Sequence, residues 1–122
     1  CMARQSSDSH DLTARWEVQL RKGVLELVIL ASLREREHYG FELVQTLTKK
    51  AAIDVPEGTI YPLLLRLAKD GFIQSELREG EGGAPRKYYT LSPQGRKILD
   101  AMIARWRLLS SSVDRLLDGK DI

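Results

Sequence analysis

The stretch PEGTIYPLLLRLAKDG, residues 56–71, reads as a helix with a proline inside it. Ile60, Leu64, Leu67 and Ala68 recur at helical spacing on one face, and Gly71 stands where a helix stops. Pro62, however, has no amide hydrogen to give an interior turn. If Thr59 caps the helix, Pro62 lies in the first turn, where backbone amides have no intrahelical partner and proline costs nothing. If the helix begins at Pro56 or Glu57, Pro62 is interior, bends the helix and leaves a carbonyl one turn earlier without its partner. In both cases it shapes the N-terminal end, where Gly58 permits close backbone approach and Thr59, Tyr61, Pro62 and Arg66 point away from the apolar face.

Working outward, residues 12–36 carry a second helical pattern. Trp16, Leu20, Val24, Leu27, Val28 and Ala31 share a face, and Leu25, Ile29, Leu30 and Leu33 widen it, so this helix is expected to be central. REREHYG breaks it, and Phe41, Leu43, Val44 and Leu47 then mark a shorter helix ending near Lys50. After Gly71 the period changes. Residues 72–79 alternate as a strand, GEGGAP is a glycine-rich tip, and RKYYTL resumes extended character, together predicting a β-hairpin. Tyr88 and Tyr89 are expected to alternate, one inward and one outward. Ser92 and Pro93 resemble a cap and a first-turn proline, opening a helix to about residue 117. In it Leu99, Met102, Trp106, Leu109, Val113 and Leu116 step by three and four as a heptad seam, with Ile103 beside it. So apolar a helix requires a partner. Residues 1–11, polar and without periodicity, are expected to form a flexible arm.

At 122 residues with 43% apolar content the chain is one small domain, mainly helical with a small hairpin. It has no apolar run long enough for a membrane span and no apolar stretch near its start, so it reads as cytoplasmic. Cys1, its only cysteine, precedes the first methionine and is read as an added residue; no disulfide forms within one chain. The net charge is only +2, but six basic residues face one acidic residue between positions 84 and 107, whereas nine acids face seven bases between 34 and 83. An anionic partner would meet the second half first. Three helices, a hairpin and a long helix match the layout of a winged helix-turn-helix, in which the third helix enters the major groove and the hairpin tip touches the flanking backbone.

Four blocks sharpen this: KGVLELVILASL, YGFEL, EGTIYPLLLRLAKDG and GGAPRKYYTLSPQG, at residues 22–33, 39–43, 57–71 and 82–95. In this order and spacing they resemble the signatures of the PadR family of transcriptional regulators, over roughly residues 20–117. The single tail helix is similar to the shorter of the family's two size classes. The resemblance implies a winged helix DNA-binding domain at residues 12–91, a dimerisation helix at 92–118, a homodimer, a two-fold operator on double-stranded DNA and, most often, repression. It carries onto Arg86 and Lys87 the family's basic wing contacts to DNA backbone. Gly58, Thr59, Tyr61, Pro62 and Arg66 become the candidate contacts of the recognition helix, and Leu99, Met102, Ile103, Trp106, Leu109, Val113 and Leu116 the candidate dimer interface. Because aromatic residues of this helix line an effector pore in some relatives, Trp106, and with it Trp16, are the candidates for stacking on a small apolar or aromatic effector.

The recognition helix carries no asparagine or glutamine, so specificity is expected to rest partly on shape. His10 and His38 have no constellation of acids or nucleophiles, and no helix starts directly after GEGGAP, which argues against an enzyme. No cofactor is implied, and no clustered ligands suggest a metal site. The competing reading is a winged helix kept as a protein-interaction or ligand-binding module with weak DNA affinity, supported by the near-neutral charge.

Overall fold

The computed structural model describes the backbone of residues 2–119 and the side chains of residues 11–80 and 82–119. Cys1 lies outside the described residues. The order is α1 (Met2–Glu35), β1 (His38–Tyr39), α2 (Gly40–Lys50), α3 (Glu57–Lys69), β2 (Ile73–Glu79), β3 (Pro85–Leu91) and α4 (Pro93–Leu117).

Helix α3 starts at Glu57 with Pro56 as its N-cap, so Pro62 is interior and Thr59 is not the cap. Proline inside a helix costs about 3 kcal/mol. Burial decides against that cost, because Ile60, Leu64 and Leu67 are each almost fully enclosed and each contributes about 1.5–3 kcal/mol. The far end closes as expected for Gly71, which adopts φ +85°. The Gly71 amide returns to the Ala68 carbonyl at 3.1 Å and the Phe72 amide to the Leu67 carbonyl at 3.0 Å, a Schellman closure that glycine alone enters without strain.

The core unites Leu25, Ile29, Leu30 and Leu33 of α1 with Leu43 and Leu47 of α2, the three α3 residues, Ile73, Tyr89 and Leu99. Helix α1 is central as expected, but on a different face: Trp16 and Leu20 are exposed, whereas the residues expected only to widen the stripe form the core. Phe41 is exposed as well, since it stands at the second position of α2, beyond the edge of the core. The stretch expected as a flexible arm has helical backbone from Met2 onward, continuous with α1.

The hairpin is present, with Ile73 opposite Leu91 and Glu79 opposite Pro85, and a third strand joins it. His38 pairs with Tyr89 and Tyr39 with Tyr88, giving the order β1-β3-β2. The strand alternation of β2 does not translate into burial: Ile73 is buried and Leu77 exposed, because the distal half of the hairpin extends past the helices. A short turn at Glu81–Gly83 reverses the chain, with Gly82 and Gly83 at φ +81° and +82°.

Ser92 caps α4 as expected, accepting the Gly95 amide at 2.9 Å while its hydroxyl donates to the Gly71 carbonyl at 2.6 Å. Here α4 starts so close to β2 that a Cβ on Gly95 would stand 2.0 Å from the Phe72 carbonyl oxygen. Backbone cannot yield as a side-chain tip can. Gly95→Ala is therefore expected to destabilise the fold by about 1–3 kcal/mol, read as a lowered urea midpoint with unchanged slope.

His38 fastens β1 to α2. Its Nδ1 lies 3.0 Å from the Arg36 carbonyl oxygen, which only an N–H can serve, so Nε2 accepts from the Thr46 hydroxyl at 3.1 Å. Burial is the main influence on the ring and pushes its pKa below the ordinary histidine value. The unfolded chain therefore takes the proton first, and stability present at neutral pH is lost as pH falls below about 6.5. The urea midpoint should drop between pH 7.5 and 5.5, and drop less in His38→Gln.

Candidate nucleic-acid interface

The helical period divides α3 into three sides. Its buried line, Ile60, Leu64 and Leu67, fixes the opposite line, Gly58, Pro62, Leu65 and Lys69, as outward, and all four are exposed. On one flank Thr59 and Arg66 face α1 across a groove shared with Lys22 and Glu26. On the other, Tyr61, Leu65 and Ala68 face Lys87 and Tyr89 of β3. The wing and α1 thus border the recognition helix on either side.

Arg66 is not free. Its guanidinium pairs with the Glu26 carboxylate of α1, a partner forty residues away that helical spacing could not reveal. The residue expected to serve a phosphate is instead tied to the central helix, although its side chain remains more than half exposed. Such an exposed pair is worth at most about 1 kcal/mol, small enough to be exchanged for a phosphate.

Tyr61 is positioned by α2. A Cβ on Gly40 would meet its ring at 2.6 Å, so the ring lies directly on the glycine backbone, with the residue still 41% exposed. It both packs beside the wing and presents its edge outward. Burial, and then the charge of Glu57, raises the Tyr61 phenol above its ordinary pKa; burial, and then Tyr61 itself, does the same for Tyr89. Tyr61 accordingly stays a protonated hydrogen-bond donor at neutral pH.

The wing strand shows the alternation expected of Tyr88 and Tyr89, with Tyr89 turned into the core. Lys87 is exposed beside α3. Arg86 lies over the Tyr39 ring at 4.5 Å. Across the ladder Arg86 is directly opposite Arg78, a like-charge pairing that would open the hairpin if unrelieved. Glu37 relieves it, taking both Arg78 nitrogens at 2.7 and 2.9 Å, with Glu76 at 3.2 Å. The Arg78 hydrogen bond in turn holds the Glu37 carboxyl below its usual range. Arg78 also covers Tyr88 at 4.7 Å, and Tyr88 meets Tyr39 edge to face at 5.5 Å. Each of these stacked contacts is worth about 0.5–1.5 kcal/mol, and they aim Arg86 from β3 toward the start of α2. Tyr39, Gly40, Phe41, Tyr61, Arg86 and Lys87 then border one open groove of about 510 Å³. An open floor with cationic walls suits a polyanion better than a small molecule.

The expected dimer seam splits in two. Leu99 is fully buried in the core, so it is not open to a partner. Met102 and Ile103 are half-buried against the same core. Trp106, Leu109, Val113 and Leu116 are exposed. The reason is position: among the described residues, only the part of α4 up to Ile103 reaches the core. Trp106 borders an apolar groove between α1 and α4 with Val24, Leu27, Ile98 and Met102; Trp16 is exposed on α1, away from it. Among the described residues no group of acids, histidines and cysteines could hold a metal ion, and no helix is long and apolar enough to cross a membrane.

The transcriptional regulator PadR-like family matches residues 29–101, more than half of the chain. The chain belongs to this family. It is accordingly a DNA-binding transcriptional regulator and not an enzyme. A PadR family transcriptional regulator from Eggerthella lenta DSM 2243 is similar in structure, with TM-score 0.82 and 35% identity, covering 91% of this chain and 96% of that one. A PadR-like transcriptional regulator from Bacillus cereus strain ATCC 14579 gives 0.76 and 40%, over 84% and 99%. The transcriptional regulator Rv3488 of Mycobacterium tuberculosis is 36% identical over 81 residues, 66% of this chain and 74% of the relative.

Sequence reasoning placed the PadR-like helix and wing but missed Tyr39, Phe41, Leu65 and Arg78. Leu65 could have been found by counting seven residues from Gly58 along the helix. Tyr39 and Arg78 carry no local signal, because only strand pairing brings them together. Replacing both Arg86 and Lys87 by alanine is expected to leave the fold intact and to lower the slope of log affinity against log salt by about two for each subunit bound, as measured by fluorescence anisotropy on duplex DNA.

Proposed function

We propose that this PadR-like regulator is a repressor that binds a two-fold operator as a homodimer. Helix α3 lies in the major groove, Thr59 and Tyr61 reach base edges or phosphate, and Arg86 and Lys87 hold the backbone beside it. The observation that carries this reading is the division of the surface into two unlike faces: a cationic groove around α3 and the wing, and an exposed apolar seam along the far half of α4, Leu109 (60% exposed), Val113 and Leu116 (71% exposed). An apolar band of this kind marks a protein interface, and its helical seam suits a second copy of the same chain, which generates two-fold symmetry. A two-fold dimer presents two recognition helices and so fits an inverted repeat. Repression is the action that the PadR family resemblance implies most often for a protein occupying such a site. A small apolar or aromatic effector would enter the α1/α4 groove at Trp106 and shift the spacing of the two helices.

Two experiments test the reading. Leu109→Glu is expected to convert a dimer into a monomer in sedimentation equilibrium, with helicity by circular dichroism unchanged; a monomeric parent would overturn the dimer. Selection from fragmented genomic DNA at physiological and raised salt should enrich an inverted repeat whose affinity falls steeply with salt. No enrichment would favour a winged helix that serves as a protein-interaction or ligand-binding module.

A further inference from the structure

The outward line of α3 has an unusual composition for a helix that meets base edges. Gly58, Pro62 and Leu65 follow one another at intervals of four and three residues, all exposed, and none carries a side-chain hydrogen-bonding group. Leu65 is 67% exposed. A lone exposed leucine needs no explanation, but this one has particular surroundings. It stands at the apolar border of the groove between α3 and the wing, with Tyr61, Pro62 and Ala68 on its own helix and Lys87 and Tyr89 opposite. Lys69 continues the same line, so cations stand beyond it and across from it, and no carboxylate lies on the line itself.

The major groove offers hydrogen-bond donors and acceptors and one apolar group, the C5-methyl of thymine. A line of Gly58, Pro62 and Leu65 has nothing to give the donors and acceptors. We propose that Leu65 is a specificity-determining residue that reads a thymine methyl in each operator half-site, with Pro62 and Gly58 letting the helix approach closely enough for that contact. The inference rests on the reading that α3 occupies the major groove. Hydrogen bonds to bases then come from Thr59 and Tyr61 on the flanks, and the outward line supplies apolar complementarity.

The test replaces thymine by deoxyuridine, which removes only the methyl, one position at a time in the selected operator. Affinity is measured by fluorescence anisotropy for the parent protein and for Leu65→Ala. One thymine per half-site should be sensitive in the parent, losing about four-fold in affinity, the effect of one buried methyl group. Leu65→Ala should lose affinity for the thymine operator, show no further loss on deoxyuridine at that position, and keep the parent's salt slope. If the parent is indifferent to every thymine methyl, or if Leu65→Ala retains the parent's full sensitivity, the assignment to Leu65 is wrong while DNA binding stands. If no operator is enriched by the parent, the major-groove reading fails and this inference with it. The parent's response to deoxyuridine requires no variant to fold.

Discussion

The antiparallel pairing of His38 and Tyr39 with Tyr89 and Tyr88 joins the wing to the helices, and the groove between the wing, α2 and α3 depends on it. The hairpin is also held by Ile73 and Tyr89 in the core, but these do not fix what stands beneath the wing's outward side chains. Through the pairing, Tyr39 is delivered beneath Arg86 and Gly40 beneath Tyr61. Two adjacent residues thus orient one basic side chain of the wing and one aromatic side chain of α3. The buried His38 ring, bonded to both sides of the junction, keeps that short strand in place.

Charge on the wing follows from the same pairing. The antiparallel register sets Arg78 against Arg86, and the repulsion is met by giving the two arginines different partners, carboxylates for one and an aromatic ring for the other. A guanidinium on a ring is held by a weak interaction and can be exchanged for a phosphate. A guanidinium held bidentate by Glu37 is a structural tie. Two arginines that look equivalent along the chain therefore stand in different surroundings.

Helix α4 has two halves with different obligations. Its beginning is tied down by the Ser92 cap, by the close approach of Gly95 to Phe72 and by the burial of Leu99. Its end carries an apolar seam away from the core. The seam is continuous in sequence, but its first part is taken up by the core and only its later part is exposed. Likewise the Arg66 to Glu26 pair joins α3 to the long helix α1.

Local chemistry was sufficient to specify every helix and the hairpin. Helical spacing located α2, α3 and α4, the Ser92-Pro93 cap and the Gly71 stop marked boundaries, and the change of period after Gly71 gave the hairpin. These signals act over a few residues, so the chain alone carries them. The blocks from Lys22 to Gly95 carried the family likewise. What only the tertiary structure decided depends on distant partners. It chose the interior position of Pro62, because core burial outweighs the cost of a missing hydrogen bond. It turned α1 onto Leu25, Ile29, Leu30 and Leu33, drew Leu99 into the core and paired Arg66 with Glu26. It also created the third strand from a two-residue segment too short to show any period. Periodicity tells which faces are apolar, but which of two apolar faces meets the core is settled only when the other elements arrive.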